Sequence, residues 1–239
     1  MPSVDLTGAL LHPLPSMSRS VVLEGTPRCD RCNLPPRWCT CSAFRPLDCP
    51  IHVDVLIHSR EFWRPTSTGR LINRVIPSSR GHKFQCETPP TRESIVQPGH
   101  PLWILHPRGD PLPAGAPPPD VQVLLLDGSW KEASRMLQTV EGWGQRVSLP
   151  MTGPSRYRLR GQQGQGMYST IEALLFLLSA LGFSETETQL RLQFELHVYA
   201  GLRARGAKEA AEEFLAESPI REAFPELLHQ LNQRRPLTQ

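Results

Sequence analysis

The sequence predicts an α/β protein: a mostly parallel sheet flanked by helices, with a small four-cysteine module ahead of it and a helical C-terminal third. Three observations lead there. Val121–Leu126 is a near-continuous apolar run ending on Asp127, and beyond Gly128 and Ser129 the stretch Trp130–Val140 takes up helical spacing; strand, tight turn and helix in that order make a parallel sheet. Four of the 6 cysteines fall between positions 29 and 41. From Ser169 onward apolar residues recur at helical intervals.

In chain order, residues 1–25 keep no period of 2 or 3.6 and are expected to be a flexible extension, 26–48 the cysteine module, and 49–239 one catalytic domain. Ile51–His58 alternates and then runs apolar, as a half-buried strand does. The polar stretch Ser59–Gly69 leads into Arg70–Ile76, whose spacing allows a helix, and Leu102–His106 reads as a further strand. Pro107–Pro119 holds 6 of the 25 prolines, and no regular element is expected in it. Arg146–Leu149 is a short strand candidate. Ser169 and Glu172 stand at capping-box spacing ahead of a helix to Leu181, and Ser184 and Glu187 repeat that spacing ahead of a helix to about Arg203. Two more helices are expected within 207–217 and 219–233.

Length and composition fit this plan. The 239 residues suit one α/β domain with an accessory module, and 39% hydrophobic with 21% charged residues is polar for a globular chain without being disordered. With 26 basic and 23 acidic residues the net charge of +3 does not advertise nucleic acid, so any basic surface is local. No run of about 18 apolar residues occurs, which excludes an ordinary membrane helix. The first twenty residues, with Asp5 and several prolines, do not read as a signal peptide. The expected compartment is the cytoplasm, where clustered cysteines are more often metal ligands than disulfides. No obligate protein partner is evident.

Cys29-x-x-Cys32 and Cys39-x-Cys41 supply four soft ligands on two close pairs, which suits a tetrahedral zinc. Pro35 and Pro36 stiffen the loop between the pairs, and Arg28, Arg31 and Arg37 offset the negative charge of a four-thiolate site. Four thiolates leave no position for water, so the metal is expected to be structural. The competing reading is a reduced cluster or a disulfide pair. Cys49 and Cys86 stand alone and read as small core residues.

Open parallel sheets bind ligands beyond the carboxyl ends of their strands, where Asp127-Gly128-Ser129-Trp130 falls. Gly128 permits the turn, Ser129 caps the helix, Trp130 offers a face for a ring, and Asp127 is left free to act. The plainer alternative, in which Asp127 caps the helix and Trp130 is core, is equally open. Pro154–Gly161 (PSRYRLRG) interleaves three arginines with a tyrosine, and Gly161–Tyr168 is a pliable loop before the Ser169 helix start. Arginine forks suit phosphate and carboxylate, aromatics suit unstacked bases, and a helix start suits an anion. A third polar patch, His58-Ser-Arg60-Glu61 through Thr66-Ser67-Thr68-Gly69-Arg70, follows the first strand and should open onto the same sheet edge. Taken singly, each basic stretch is equally a solvated loop.

In their order, Cys29-x-x-Cys32, Cys39-x-Cys41, His58-x-Arg60-Glu61, Ser67-Thr68-Gly69-Arg70-Leu71, Asp127-Gly128-Ser129-Trp130, Ser155-Arg156-Tyr157-x-x-Arg160 and Ser169-Thr170-x-Glu172-Ala173 resemble the DTW-domain proteins, the tRNA-uridine aminocarboxypropyltransferases, over roughly residues 27–200. The resemblance implies a SPOUT-related fold, S-adenosylmethionine as cosubstrate and tRNA as partner. The reaction it implies moves the 3-amino-3-carboxypropyl group to N3 of a variable-loop uridine, at tRNA position 47, and leaves methylthioadenosine. Carried onto this chain, it implies Asp127, Ser129 and Trp130 as catalytic residues. Leu126, Gly128, Ser169, Thr170 and Glu172 would meet the cosubstrate, and Arg60, Arg70, Arg156, Tyr157 and Arg160 the RNA. Cys29, Cys32, Cys39 and Cys41 would hold the metal. The family signature has threonine where this chain has Ser129; the hydroxyl is kept, so capping should survive while packing loosens.

Two other functions compete. An S-adenosylmethionine-dependent RNA methyltransferase would use the same pocket with the cosubstrate turned. A non-catalytic zinc-ribbon RNA-binding adaptor would need neither Asp127 nor the Ser169 segment, and their presence in register argues against it. A hydrolase on Asp127 and Ser129 lacks a histidine partner nearby in sequence, leaving His58 or His106 to approach in space.

Overall fold

The structure is a computed structural model that describes residues 27–160 and 166–233. The expected extension at 1–25 and the start of the Gly161–Tyr168 loop lie outside these residues. The described strands are β1 (His52–His58), β2 (Arg80–Phe84), β3 (Leu102–Pro111), β4 (Gln122–Asp127) and β5 (Gln145–Ser148), all parallel, in the order β2-β1-β4-β3-β5. The helices are α1 (Ser59–Phe62), α2 (Thr68–Val75), α3 (Arg92–Ile95), α4 (Trp130–Thr139), α5 (Thr170–Ala180), α6 (Ser184–Ala204), α7 (Lys208–Ala216), α8 (Ile220–Ala223) and α9 (Pro225–Asn232). The cysteine segment adds two short 3-10 turns, Pro36–Trp38 and Cys41–Ala43.

β1 and β4 read as apolar runs because helices cover both faces of the sheet. On one face Val53, Val55, Val123 and Leu125 pack with Ile72 of α2, Leu174 of α5 and Phe194 of α6. Trp38, Ala43 and Leu47 of the cysteine segment join this same cluster. On the other face Leu56, Ile104 and Leu124 pack with Ile95 of α3 and Met136 of α4. The chain runs from β1 outward to β2 and then crosses to the far side of β1, so the direction of winding reverses between β1 and β4. The crevice beyond the carboxyl ends of those two strands is where such sheets take ligands. Among the described residues no helix is long and apolar enough to cross a membrane.

Three sequence expectations are corrected, and one strand answers to no pattern in the sequence. β2 has no apolar alternation: it is an edge strand of sequence RGHKF, and only Phe84 is buried. β3 runs on into the proline-rich segment as far as Pro111. It pairs with β4 only through Ile104, so Pro107 and Pro111 lie where one flank has no partner to miss a donor. A bulge lies there, and Gly109 passes so close to β5 that a Cβ would stand 2.6 Å from the Val147 carbonyl carbon. Ser184 is the first residue of α6 rather than its cap, and Glu187 pairs with Arg191 instead. The segment expected to hold one helix over 219–233 divides at Pro225 into α8 and α9.

Candidate functional site

Asp127 is the last residue of β4, so the sheet fixes its backbone at the mouth of the crevice. It does not cap α4. Ser129 does, in a closed capping box: its hydroxyl accepts from the Glu132 N–H, and the Glu132 carboxylate accepts from the Ser129 N–H at 2.8 Å. With its hydroxyl also donating to Glu132, Ser129 has no histidine partner and is not built as a nucleophile.

The Asp127 side chain, 3% exposed, is not free as the sequence suggests. Its Oδ2 accepts from the Ser67 hydroxyl at 2.8 Å, and its Oδ1 from the hydroxyls of Thr170 at 2.6 Å and Thr68 at 3.5 Å. The starts of α2 and α5 thus converge on one carboxylate. The convergence requires Gly69, where a Cβ would lie 2.8 Å from the Asp127 side chain.

A cavity of about 250 Å³ opens beside this carboxylate. Leu126, Asp127, Gly128, Ser129 and Trp130 line it from β4 and α4, and Tyr157, Arg160, Ser169 and Thr170 from the opposite wall. The Trp130 ring is 45% exposed, so it is a wall of the cavity rather than core. His106 enters from β3; the sequence offers it only as a partner in a hydrolase. Burial first, then Arg108 and Arg146, hold its pKa below the ordinary histidine value. The ring is therefore neutral, and because Nδ1 accepts the Arg108 N–H at 3.1 Å the proton sits on Nε2.

Arg160 is the cation of the cavity. Burial alone would lower its pKa, but Tyr157, Glu61 and Asp127 more than reverse that, and it stays charged. One of its terminal nitrogens donates to Glu61, while its Nε is buried without a hydrogen-bond partner among the described residues. Glu61, buried in α1 just beyond β1, also accepts from Arg64 at 2.8 Å; burial pushes its carboxyl above the usual range in spite of both arginines. The sequence patch that contains Glu61, Ser67 and Thr68 does reach this edge, though their roles are set by residues far along the chain.

Of the expected contacts, Glu172, Arg156, Arg60 and Arg70 lie outside the cavity, while Tyr157 lines it. Glu172 does not line the cavity: it accepts from the Ser169 N–H and hydroxyl, both at 2.7 Å, and from the Arg156 N–H at 2.7 Å, and so closes the N-terminus of α5. Arg156, expected on RNA, is occupied by Glu195 at 3.0 Å and Glu217 at 3.2 Å and lies over the Phe214 ring. Tyr157 offers its ring to the cavity, but its buried hydroxyl donates to the Thr66 carbonyl at 2.5 Å. Burial pushes that hydroxyl's pKa up, so it remains a donor. Arg60 is exposed on α1, and Arg70 is half-buried on α2 outside this cavity.

Cys29, Cys32, Cys39 and Cys41 bring their sulfurs within 4.8 Å of one another. The pairs Cys29–Cys41 and Cys32–Cys39 stand at 3.7 Å. A tetrahedron with zinc–sulfur bonds of about 2.3 Å has edges of about 3.8 Å, so the donor set fits zinc. None of the four is in a disulfide. Cys32 and Leu34 pack on Ala200 of α6, and the Ala43 carbonyl accepts from the Gln193 amide at 3.1 Å, which fastens the segment to the main domain.

The chain matches the family described as DTW domain over residues 26–201, a span that takes in both the cysteine cluster and the Asp127 crevice. No solved structure matches it.

Proposed function

This chain belongs to the DTW-domain family, the domain of the tRNA-uridine aminocarboxypropyltransferases, and from that premise we propose that it transfers the 3-amino-3-carboxypropyl group of S-adenosylmethionine to N3 of a tRNA uridine. Family membership supports a role in tRNA modification, and the variable-loop uridine is the proposed acceptor. The observation that carries the finer reading is the crevice itself. A buried carboxylate held, among the described residues, only by neutral hydroxyls shares one cavity with a charged arginine and with an open tryptophan face.

In the proposed reaction a bond forms between N3 and the γ-carbon of the methionine moiety. The bond from that carbon to the sulfonium breaks, and the sulfur keeps the electron pair as methylthioadenosine leaves. N3 must give up its proton. Asp127 is the proposed acceptor: a carboxylate has about four lone-pair directions, and with Ser67 alone on Oδ2 that oxygen keeps one for the N3–H. Three hydroxyls orient the carboxylate without cancelling its charge. Arg160 would receive the amino-acid carboxylate of the cosubstrate on the part of its guanidinium that faces the cavity and is not taken by Glu61. Trp130 would stack on a ring, Leu126, Gly128 and Ser169 would shape the wall behind it, and His106 would donate from Nε2. Presenting the propyl carbon rather than the methyl carbon to N3 is a matter of this positioning.

The test supplies purified protein and unmodified tRNA with S-adenosylmethionine labelled in either the methyl or the carboxypropyl group. Carboxypropyl label in the tRNA, with methylthioadenosine as coproduct, is expected. Label arriving only from the methyl group would overturn the proposal in favour of a methyltransferase. Elemental analysis should find one zinc per chain in freshly purified protein, and finding no metal would overturn the assignment of the four cysteines.

A further inference from the structure

A second cleft lies where the cysteine segment meets the start of the main domain, behind Ser67. Its walls carry Arg31 from the metal segment and Arg64, Arg70 and Arg74 from the α1–α2 region, and no carboxylate lines it. Among the described residues only Arg64 of these four has a carboxylate partner, Glu61. Arg31 and Arg70 lie instead over the rings of Phe44 at 4.8 Å and Phe62 at 5.9 Å. The crowding is felt: burial first and Arg74 next hold the Arg70 guanidinium below its ordinary value.

His197 of α6 stands at the floor of this cleft, 3% exposed, with neither ring nitrogen hydrogen-bonded. Burial, Arg74 and Arg205 bring its pKa down to about 3 against the pull of the nearby Pro65 carbonyl, so the ring is neutral and has one N–H to donate. The Nε of Arg74 is buried without a partner as well. Buried donors left unpaired are uncommon and destabilising, and here they converge with three arginines that no carboxylate among the described residues pairs and that outnumber the one thiol, Cys32, in the cleft. What they lack is an anionic acceptor. The enclosed volume, about 20 Å³, has room for one oxygen-sized group and not for a small-molecule ligand.

Trp63, 68% exposed, precedes Arg64 of this cleft; its carbonyl accepts from the Asn33 amide of the cysteine segment at 3.4 Å, and its ring meets at 5.2 Å the Phe62 ring that Arg70 covers. An open indole near arginines without carboxylate partners is the combination that single-stranded RNA uses: stacking for a base and charge for its phosphate. We propose that this cleft takes one backbone phosphate of the tRNA, a non-bridging oxygen entering toward His197 and Arg74, and that Trp63 stacks on an unpaired base beside it. The metal segment then belongs to the RNA grip, because the four-cysteine centre fixes Arg31 opposite α2. This inference rests on the reading of tRNA as substrate, but not on which group is transferred.

The test titrates the full-length, zinc-loaded protein with a tRNA transcript, without S-adenosylmethionine, over a series of salt concentrations. R31Q and R74Q should each weaken binding about fivefold or more and lower the slope of log affinity against log salt by about 0.7–0.9, while R31K and R74K keep the slope. W63A should weaken binding about 5- to 100-fold with the slope unchanged, because stacking releases no counterions. Unchanged affinity and slope in R31Q and R74Q, with zinc and melting temperature retained, would overturn the inference. Should R74Q fold poorly, R31Q decides alone, since its side chain is on the surface. Methyl transfer together with these salt effects would reject the proposed reaction and keep the cleft. Carboxypropyl transfer with unaltered slopes would do the reverse.

Discussion

Asp54 and Asp127 sit on neighbouring strands of one sheet, 1% and 3% exposed, yet at opposite ends and on opposite faces. Asp54, near the amino end of β1, accepts from Arg80 Nε at 2.9 Å and Nη2 at 3.0 Å and from the Gln122 amide at 2.8 Å, and it shares a 2.6 Å hydrogen bond with His82. Both oxygens are filled, a cation balances the charge, and neither cavity described above touches it. Asp127, at the carboxyl end of β4, is held among the described residues by hydroxyls alone and opens onto a cavity. Residue type and burial are therefore poor markers of chemistry. The distinguishing features are what supplies the hydrogen bonds, neutral groups or a cation, and whether a substrate has room to approach.

The contrast is broken most directly at Asp127. D127N keeps the shape and the packing of the hydroxyls but removes the negative charge, and transfer should fall by about 10³-fold, within the range set by loss of a general base. The melting temperature should move little. Near-wild-type turnover in a folded D127N would mean that this carboxylate is as structural as Asp54. A second substitution tests position rather than charge. G69A drives a methyl group to 2.8 Å from the Asp127 side chain, so the carboxylate must shift while remaining present. A displacement of that kind should reduce transfer by about 10²-fold; an unaffected G69A would show that the exact place of the carboxylate is unimportant.

The same contrast explains what was legible in the sequence. β4 and α4 could be read because a buried parallel strand and an amphipathic helix announce themselves within a dozen residues. The four-cysteine cluster could be read because its members are close in the chain. β2 could not, since an edge strand with one buried side chain has no pattern, and the prolines of β3 are tolerated only because of which strands flank it. At the site, Asp127 and Trp130 stand out locally, but the hydroxyls that hold Asp127 come from 60, 59 and 43 residues away. Arg156 reads as an RNA contact because its partners, Glu195 and Glu217, lie 39 and 61 residues further on. Long-range pairing decides whether a charge is spent on structure or available to a ligand, and sequence spacing does not carry that information.

Asp54 should fail in the other currency. D54A leaves the buried Gln122 amide and the His82 ring without their acceptor, while the Arg80 side chain, 43% exposed, returns to water. The expected loss of stability is about 2–3 kcal/mol, below that of a fully buried ion pair broken on one side. For a chain of this size that lowers the melting temperature by roughly 5–10 °C. Transfer by the folded fraction should be unchanged, and a folded D54A with impaired transfer would place both aspartates in one functional network.

The smallest effect is in the pH dependence of stability. Burial opposes ionisation of Asp54, but the hydrogen bonds of His82, Arg80 and Gln122 outweigh it and hold the carboxyl below the ordinary aspartate range. Near that range the folded protein binds fewer protons at Asp54 than the unfolded chain does. The stability Asp54 contributes is thus complete above the unfolded value of about 3.9 and is lost as the pH falls through the lower folded value. Glu61 works in the opposite sense: its folded pKa is raised, so protonation as the pH falls relieves a cost of burial. The two tendencies overlap in a simple acid titration, and the informative quantity is the difference between wild type and D54N. D54N cannot gain a proton at that site, so the gap in melting temperature should be widest near neutrality and close as the pH drops below about 4. A gap that stays constant down to acid pH would mean that D54N loses packing rather than charge, and Asp54 would no longer serve as the ion-paired counterpart of Asp127.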